Sequence, residues 1–309
     1  MTTTALTFDR VTRMYGSRVG LLDVSVRLEP GLVGLLGPNG AGKTTFLHVA
    51  AGLLLPRSGG VSWGADLLRH DVRLANRIAF VSDGDQLPRR DTAAQFCTAL
   101  LRCAGLGAHA AEKRACATLD RLGLAAMADA PLGTLSRGQR QRVKLAQAFA
   151  LPADLILLDE PLNALDPVWR LEVAGLMHEA VQGGACVVLS SHILEEVESI
   201  ATWLVLLFRG RLVACGTQRE IQDLLRNRAT ALRIRSTQAR TIARELLDRA
   251  PVTHLHIDGP ELVVHADDTA SLYRALPAAV VAAAAAVESV TTDGDDLVSL
   301  FLALQKEVR

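Results

Sequence analysis

Residues 37–45, which read GPNGAGKTT, constrain the fold of this chain more than any other stretch. They fit G-x-x-x-x-G-K-[ST], the pattern of a phosphate-binding loop. The apolar run 32–36 before them is typical of a buried strand, and residues 44–52 after them are helix-like. Glycines let successive backbone N–H groups face an anion, and a helix N-terminus adds partial positive charge. The sequence therefore predicts a phosphate site; a chance glycine-rich turn would leave the flanking strand and helix unexplained.

The pattern assigns a separate task to several side chains of this loop. We expect Lys43 to reach the β- and γ-phosphates and the Thr44 hydroxyl to bind Mg²⁺. Thr45 is expected to bond a further phosphate oxygen. The residues predicted to line the phosphates are Gly37, Asn39, Gly40, Gly42, Lys43, Thr44 and Thr45.

Two further apolar runs end in residues suited to phosphate chemistry. Asp159 and Glu160 follow the run 155–158. An aspartate at a strand end suits Mg²⁺, and the glutamate after it would then face an attacking water as a general base. The alternative is a pair of solvated acids. His192 follows the run 185–191, on the edge where α/β folds bind ligands, so we predict a γ-phosphate contact instead of a helix cap or a surface histidine.

Ser136, Gly138 and Gln139 open a helix predicted over residues 137–150. A serine followed three residues later by glutamine is a capping box, so starting a helix is a sufficient explanation of this segment. The same serine hydroxyl, glycine N–H and helix N-terminus also suit a second phosphate-binding end. The chain would then carry two unlike anion surfaces, which one nucleotide rarely needs from a single molecule.

Charge and composition limit the class of protein. Lys+Arg and Asp+Glu both number 33, and this zero formal net charge argues against a protein that coats nucleic acid. The longest alanine-rich run, 278–287, is too short to span a bilayer, and no signal peptide is recognisable, so we expect a cytoplasmic protein that meets membranes only through a partner. The 5 cysteines contain no C-x-x-C pair and are expected to be reduced, small apolar residues.

The length of 309 residues favours about two domains. Residues 1–226 are expected to form an α/β domain, which includes a helical insertion at about 87–150. Residues 56–60 are expected to form a turn. The other elements predicted in this domain are three strands within 5–36, a strand at 77–82, helices at 91–103 and 110–122, a hairpin across 209–210 and a helix at 217–226.

Residues 227–309 are expected to form a small α+β accessory domain with a regulatory, dimerising or docking role. The order β-α-β-β-α-β with a trailing helix is typical of a ferredoxin-like split βαβ unit. The alanine-rich stretch before its last strand could also be helical. The predicted strands are 232–235, 252–257, 262–265 and 287–291, and the predicted helices are 239–249, 269–276 and 295–306.

With these motifs in this order, residues 5–225 resemble an ATP-binding cassette (ABC) ATPase. The resemblance implies a P-loop nucleotide-binding domain with an antiparallel β subdomain, ATP and Mg²⁺ as ligands, and ATP hydrolysis. It also implies that Glu160 activates water and that His192 holds the γ-phosphate. Tyr15 matches the family's adenine-stacking aromatic, although position alone would equally suit an ordinary turn tyrosine.

The resemblance further implies a head-to-tail homodimer. ATP on the loop of one subunit is closed over by Ser136 and Gly138 of the other, which accounts for the two anion surfaces. Gln139 and Asp166, which belong to the matching motifs, are expected at the same nucleotide.

Two positions depart from the family pattern. Arg137 occupies the third position of the family's Leu-Ser-Gly-Gly-Gln signature. Asp83 stands where the family carries a glutamine that touches Mg²⁺ and senses the membrane partner. The carboxylate of Asp83 can still ligate Mg²⁺, with added negative charge, and Gln86 would substitute only in a rearranged loop.

The size of the C-terminal extension and its motif at 296–302 resemble those of ATPases from drug, antibiotic or polysaccharide exporters. We therefore expect the ATPase subunit of an ABC exporter, which docks on separately encoded membrane subunits near residues 83–91. The alternatives are a soluble ABC ATPase acting on nucleic acid or ribosomes, and a regulatory ATP-binding module with weak hydrolysis.

Overall fold

The computed structural model describes residues 4–68, 76–221, 230–266 and 269–293. The chain forms two compact units, Met1–Cys215 and Gly216–Arg309. The boundary expected after residue 226 lies outside the described residues, as do residues 222–226 of the helix expected at 217–226, the trailing helix at 295–306 and the motif at 296–302.

A six-stranded sheet forms the centre of the first unit, with strand order β10-β9-β3-β8-β7-β6. β3, β7 and β8 are almost entirely buried, as expected of parallel strands covered on both faces. The pairs Leu36↔Ser191 and Asp159↔Ser190 bring the carboxyl ends of these three strands to one edge. The strands are β3 (Gly31–Leu36), β6 (Ile78–Val81), β7 (Leu155–Asp159), β8 (Cys186–Ser191), β9 (Trp203–Phe208) and β10 (Arg211–Thr217).

A second sheet in this unit has the order β2-β1-β4-β5, and its described strand pairs are antiparallel. Its Phe8 ring stacks on Phe46 of the helix after the phosphate loop, at 4.0 Å between ring centroids. Burial alternates along Arg18–Leu28 at Val24, Val26 and Leu28, the period of a half-buried antiparallel strand. The strands are β1 (Leu6–Tyr15), β2 (Arg18–Leu28), β4 (Ser58–Trp63) and β5 (Asp66–Leu67).

The turn expected at residues 56–60 is wrong in its second half, because β4 already begins at Ser58. Gly59 has φ +81°, and a Cβ there would collide with the Asp9 and Arg10 carbonyl oxygens of the neighbouring strand. This glycine therefore permits a close approach of two strands, a use that a sequence pattern does not distinguish from a turn.

The helical insertion contains the three predicted helices and packs through small buried residues such as Cys97, Ala111 and Ala115. Arg121 connects the insertion to the helix Pro167–Gln182, because it donates to Glu172 at 2.8 Å and to Glu179 at 2.5 Å. The helices of the first unit are α1 (Lys43–Ala50), α2 (Ala93–Cys103), α3 (Ala108–Arg121), α4 (Arg137–Ala150), α5 (Pro167–Gln182) and α6 (Leu194–Glu198).

The second unit has its own core beneath an antiparallel sheet of order β12-β13-β11-β14. The helix expected to end at residue 276 continues through Pro277 to Ala282, because Ala275, Leu276 and Ala279 pack into that core. The last strand starts two positions later than expected. The elements are β11 (Thr230–Arg235), α7 (Ala239–Leu247), β12 (Val252–Asp258), β13 (Glu261–Ala266), α8 (Thr269–Ala282) and β14 (Ser289–Asp293).

Candidate functional site

The phosphate loop runs from the end of β3 into α1, whose first residue is Lys43. Gly42 precedes the helix with φ +108°, and a Cβ there would lie 2.5 Å from the Gly20 carbonyl oxygen. At Gly37 an added Cβ would lie 2.6 Å from the Leu207 carbonyl oxygen. Neighbouring backbone therefore requires glycine at both positions, and the loop can wrap closely around an anion.

A cavity of about 470 Å³ opens above this loop, at the edge where β3, β7 and β8 end. It gathers most of the predicted nucleotide residues, although they are far apart in the sequence. Gly37 is not on its surface, but its carbonyl accepts a hydrogen bond from Lys43 Nζ at 2.6 Å. The predicted residues that line the cavity are Tyr15, Asn39, Gly40, Gly42, Lys43, Thr44, Thr45, Asp83, Asp159, Glu160 and His192.

Thr44 and Asp159 meet at the floor of this cavity, and both present oxygen atoms. Thr44 Oγ1 donates to Asp159 Oδ2 at 2.8 Å, and Ser190 Oγ donates to Asp159 Oδ1 at 2.6 Å. A hydroxyl and a carboxylate suit a hard cation such as Mg²⁺, which proteins commonly bind through one or two side chains plus substrate phosphates. Among the described residues no group of three or more His, Cys, Asp or Glu could form a complete metal cage. The donor set therefore fits Mg²⁺ shared with a phosphate.

Glu160 lies between a cation and a histidine. Its Oε1 is 3.4 Å from Lys43 Nζ, and its Oε2 is 2.9 Å from His192 Nδ1. Its own backbone is in the left-handed region, with φ 49°, and its N–H donates to Ser190 Oγ at 3.0 Å. A non-glycine residue in this conformation needs support from its surroundings, and clusters of such residues are typical of functional sites.

Tyr15 stands at the end of β1 on the side wall of the cavity, with 44% of its surface exposed. Glycine at position 20 leaves room for the Tyr15 ring, because a Cβ at Gly20 would lie 2.8 Å from Tyr15 Cε2. The exposed ring offers a face on which a base could stack.

Three polar residues in this region were not anticipated. Arg18 and Asn163 line the cavity, and Ser190 links Asp159 to Glu160. Arg18 closely follows Tyr15, and Asn163 closely follows Glu160, so proximity in sequence was the available signal. Ser190 carried none, because a serine within an apolar strand is consistent with many structures.

Ser136, Gly138, Gln139 and Asp166 do not line this cavity. Ser136 Oγ accepts from the Gln139 N–H at 3.2 Å and Gln139 Oε1 accepts from the Ser136 N–H at 2.7 Å, which confirms the capping box. Asp166 caps α5, accepting from two backbone N–H groups at 3.1 Å. Ser136 remains exposed to solvent. Within one copy of the chain, these residues therefore lie outside the cavity that contains Lys43.

The turn after β6 brings Asp83 to the cavity, where its Oδ1 accepts a hydrogen bond from Asn163 Nδ2 at 3.4 Å. Gln86, the alternative to Asp83, is not on the cavity surface. In the residue before Gln86, the Arg140 guanidinium binds both carboxylate oxygens of Asp85 and lowers the pKa of that carboxyl. Burial lowers the pKa of the Lys144 ammonium, while Asp83 and Asp85 act in the opposite direction.

Comparison with known proteins agrees with these features. The family model described as ABC transporter matches residues 21–163. The chain is 30% identical to the daunorubicin/doxorubicin resistance ATP-binding protein DrrA of Streptomyces peucetius, over 89% of this chain and 84% of that protein. It is 33% identical to the Nod factor export ATP-binding protein I of Burkholderia pseudomallei, over 71% of this chain and 73% of that protein.

Among solved structures, an ATP-binding subunit of an ABC transporter superposes with a TM-score of 0.67 at 29% identity, covering 72% of this chain and 93% of that one. In the described part of this chain, no helix has the length and apolar character needed to cross a membrane. The phosphate loop, the carboxylates at the ends of the strands and the relatives agree, and the chain therefore belongs to the ABC transporter family, as one of its ATP-binding and ATP-hydrolysing subunits.

Proposed function

We propose that this chain is the ATPase subunit of an ABC exporter, and that it works as a homodimer bound to separately encoded membrane subunits on the cytoplasmic face of the membrane. One relative is named for Nod factor export and another for drug resistance, which supports export over import. ATP is the substrate, with Mg²⁺ as its metal partner.

One observation carries the dimer proposal. The chain has a cavity with a phosphate loop, and it has a separate exposed helix start at Ser136 that does not reach this cavity. Both are anion-binding arrangements by their chemistry. A second copy, turned head to tail, would bring its Ser136 and Gly138 over the nucleotide on the first, and Gln139 and Asp166 would lie close to that interface.

The residues of the cavity divide the work of binding. Lys43 and the backbone N–H groups of the loop hold the phosphates, and Tyr15 stacks on the adenine. Thr44 and Asp159 would hold Mg²⁺, with Asp83 of the same cavity as a candidate third oxygen donor. When bound, Mg²⁺ neutralises charge that develops on the phosphate oxygens.

Hydrolysis itself requires a base beside the γ-phosphate, and we assign this role to Glu160, which lines the cavity next to Lys43. A γ-phosphate that binds Lys43 competes with Glu160 for the ammonium group, which is 3.4 Å from the carboxylate. Glu160 then accepts a proton from water while the water oxygen bonds to phosphorus and the bond to the β-phosphate oxygen breaks. His192, hydrogen-bonded to Glu160 at 2.9 Å, orients this carboxylate and contacts the γ-phosphate.

The substitution Glu160→Gln tests two proposals together: that Glu160 is the general base and that ATP binding forms the dimer. The variant keeps the shape of the side chain but cannot accept the proton, so we expect kcat to fall by about 100-fold or more. Because the closed complex is then not consumed, Mg-ATP should convert the purified variant to a dimer in analytical ultracentrifugation. The matched control is Lys43→Ala, which should stay monomeric because it loses its phosphate contact.

Unchanged turnover in Glu160→Gln would remove Glu160 as the base. A variant that binds Mg-ATP yet stays monomeric, even with its membrane subunits supplied, would contradict the head-to-tail dimer.

A further inference from the structure

Lys144 is a buried cation that has no part in the proposed hydrolysis. It lies on α4 with 8% of its surface exposed. Its Nζ donates to the Ser82 carbonyl oxygen at 2.8 Å and to the Gly84 carbonyl oxygen at 2.9 Å. These carbonyls belong to the residues on either side of Asp83, so one ammonium group fixes both ends of the turn that presents the Asp83 carboxylate.

The nucleotide cavity is rich in negative charge, which opposes the binding of ATP. Three carboxylates line it, those of Asp83, Asp159 and Glu160, although it must accept the negative phosphates of ATP. Asp159 is hydrogen-bonded by Thr44 and Ser190, and Glu160 is beside Lys43. Asp83 receives only a long hydrogen bond from the neutral amide of Asn163 among the contacts described for its side chain.

The other charged groups near Lys144 do not neutralise its ammonium group. Its charge interacts with Asp83, Asp85, Arg137 and Asp159. Asp85 is already paired with Arg140 at 2.7 Å. Arg137 is itself a cation and cannot pair with Lys144, so the cavity carboxylates on which the Lys144 charge acts are Asp83 and Asp159.

We infer that Lys144 is a positioning residue for nucleotide binding: it holds the turn at residues 82–84 so that Asp83 stays at the rim of the cavity, and its charge offsets the repulsion between the Asp83 carboxylate and the phosphates. The inference rests on the proposed nucleotide site. It adds that Asp83 and Lys144 act as a pair, so the effect of losing one depends on the presence of the other.

A double-mutant cycle tests this pairing. The full-length chain is prepared as Lys144→Met, Asp83→Asn and the double variant, and the Kd of ATP without Mg²⁺ is measured by calorimetry. Removing the ammonium should raise Kd by about tenfold when Asp83 is present, the scale of one lost charge interaction. In the Asp83→Asn background the same change should raise Kd by less than about threefold. Lys144→Arg should keep Kd within about threefold of the parent, because it retains the charge.

An equal rise of Kd in both backgrounds would overturn the inference, since it would make Lys144 a purely structural residue. If Lys144→Met fails to fold in a thermal melt, Lys144→Gln takes its place, because it can still donate to a carbonyl but carries no charge. Lys43→Ala tests the nucleotide site independently of this pairing: a Kd of ATP that is unchanged in Lys43→Ala would contradict the site itself, whatever the cycle shows.

Discussion

Ser190 connects the two carboxylates that the proposed mechanism of hydrolysis uses. Its hydroxyl donates to Asp159 Oδ1 and accepts from the Glu160 N–H, and the side chain is fully buried. It therefore fixes the orientation of the proposed metal ligand and the unusual backbone conformation of the proposed base. The next residue, Ser191, is also buried but bonds Glu196 and the Ile193 N–H, away from both carboxylates.

This difference gives a matched pair of substitutions. Ser190→Ala and Ser191→Ala each leave polar partners unsatisfied, so each should reduce the free energy of unfolding by about 1–3 kcal/mol. Only Ser190→Ala should also reduce kcat, by about tenfold or more, because a misplaced base loses the geometry of attack. Steady-state ATPase assays and denaturant melts measure the two effects. Equal kcat values in the two variants would show that Ser190 has no positioning role.

Among the elements, α2 and α4 begin in the same way. Thr92 and Gln95 form a capping box at the start of α2, as Ser136 and Gln139 do at α4. The local hydrogen bonds are equivalent, with serine or threonine oxygen to backbone N–H distances of 3.2 Å in both. The difference lies in what the proposed dimer adds: only the start of α4 meets the partner's nucleotide.

Alanine at each cap separates helix stability from function. Thr92→Ala and Ser136→Ala should each reduce the free energy of unfolding by about 1 kcal/mol, the usual contribution of such a cap. ATPase activity should fall only in Ser136→Ala, by about tenfold or more, since a hydrogen-bond donor to the γ-phosphate is lost there. If both variants lose activity in proportion to their stability, the start of α4 acts only as a helix cap.

At the scale of the whole molecule, the candidate nucleotide cavity lies within one unit. Every residue that lines the nucleotide cavity belongs to Met1–Cys215. The second unit has a separate apolar core around Leu232, Ile242 and Leu272. We therefore expect ATP hydrolysis from the first unit and a docking, dimerising or regulatory role for the second.

The proposed membrane partner gives a prediction for the whole chain. Native protein should sediment with membranes of the cell that makes it, and alkaline carbonate should release it, because it would be attached through protein contacts and not by its own lipid-embedded segment. Immunoblots of the pellet and supernatant measure this, with a cytoplasmic enzyme as the control. A chain found only in the supernatant, with and without ATP, would count against the exporter.

The sequence by itself determined the family of this protein and the local elements of its candidate site. Short sequence patterns predict features that depend on local chain geometry. Three such features are the phosphate loop, the strand that ends in two carboxylates and the strand followed by His192. The helices of the insertion, α4 among them, were equally predictable, because a capping box and helical spacing act within a few residues of the chain.

Tertiary structure alone decided how these pieces cooperate. Gly59 resembles a turn residue until the neighbouring strand is in place, and Pro277 resembles a helix end until the core around Ala279 is packed. The contacts of Ser190 with Asp159 and of Lys144 with the Asp83 turn join residues from separate strands and helices. Such contacts depend on the register of a parallel sheet and on helix packing, which are set by interactions between distant segments and leave no local trace in the sequence.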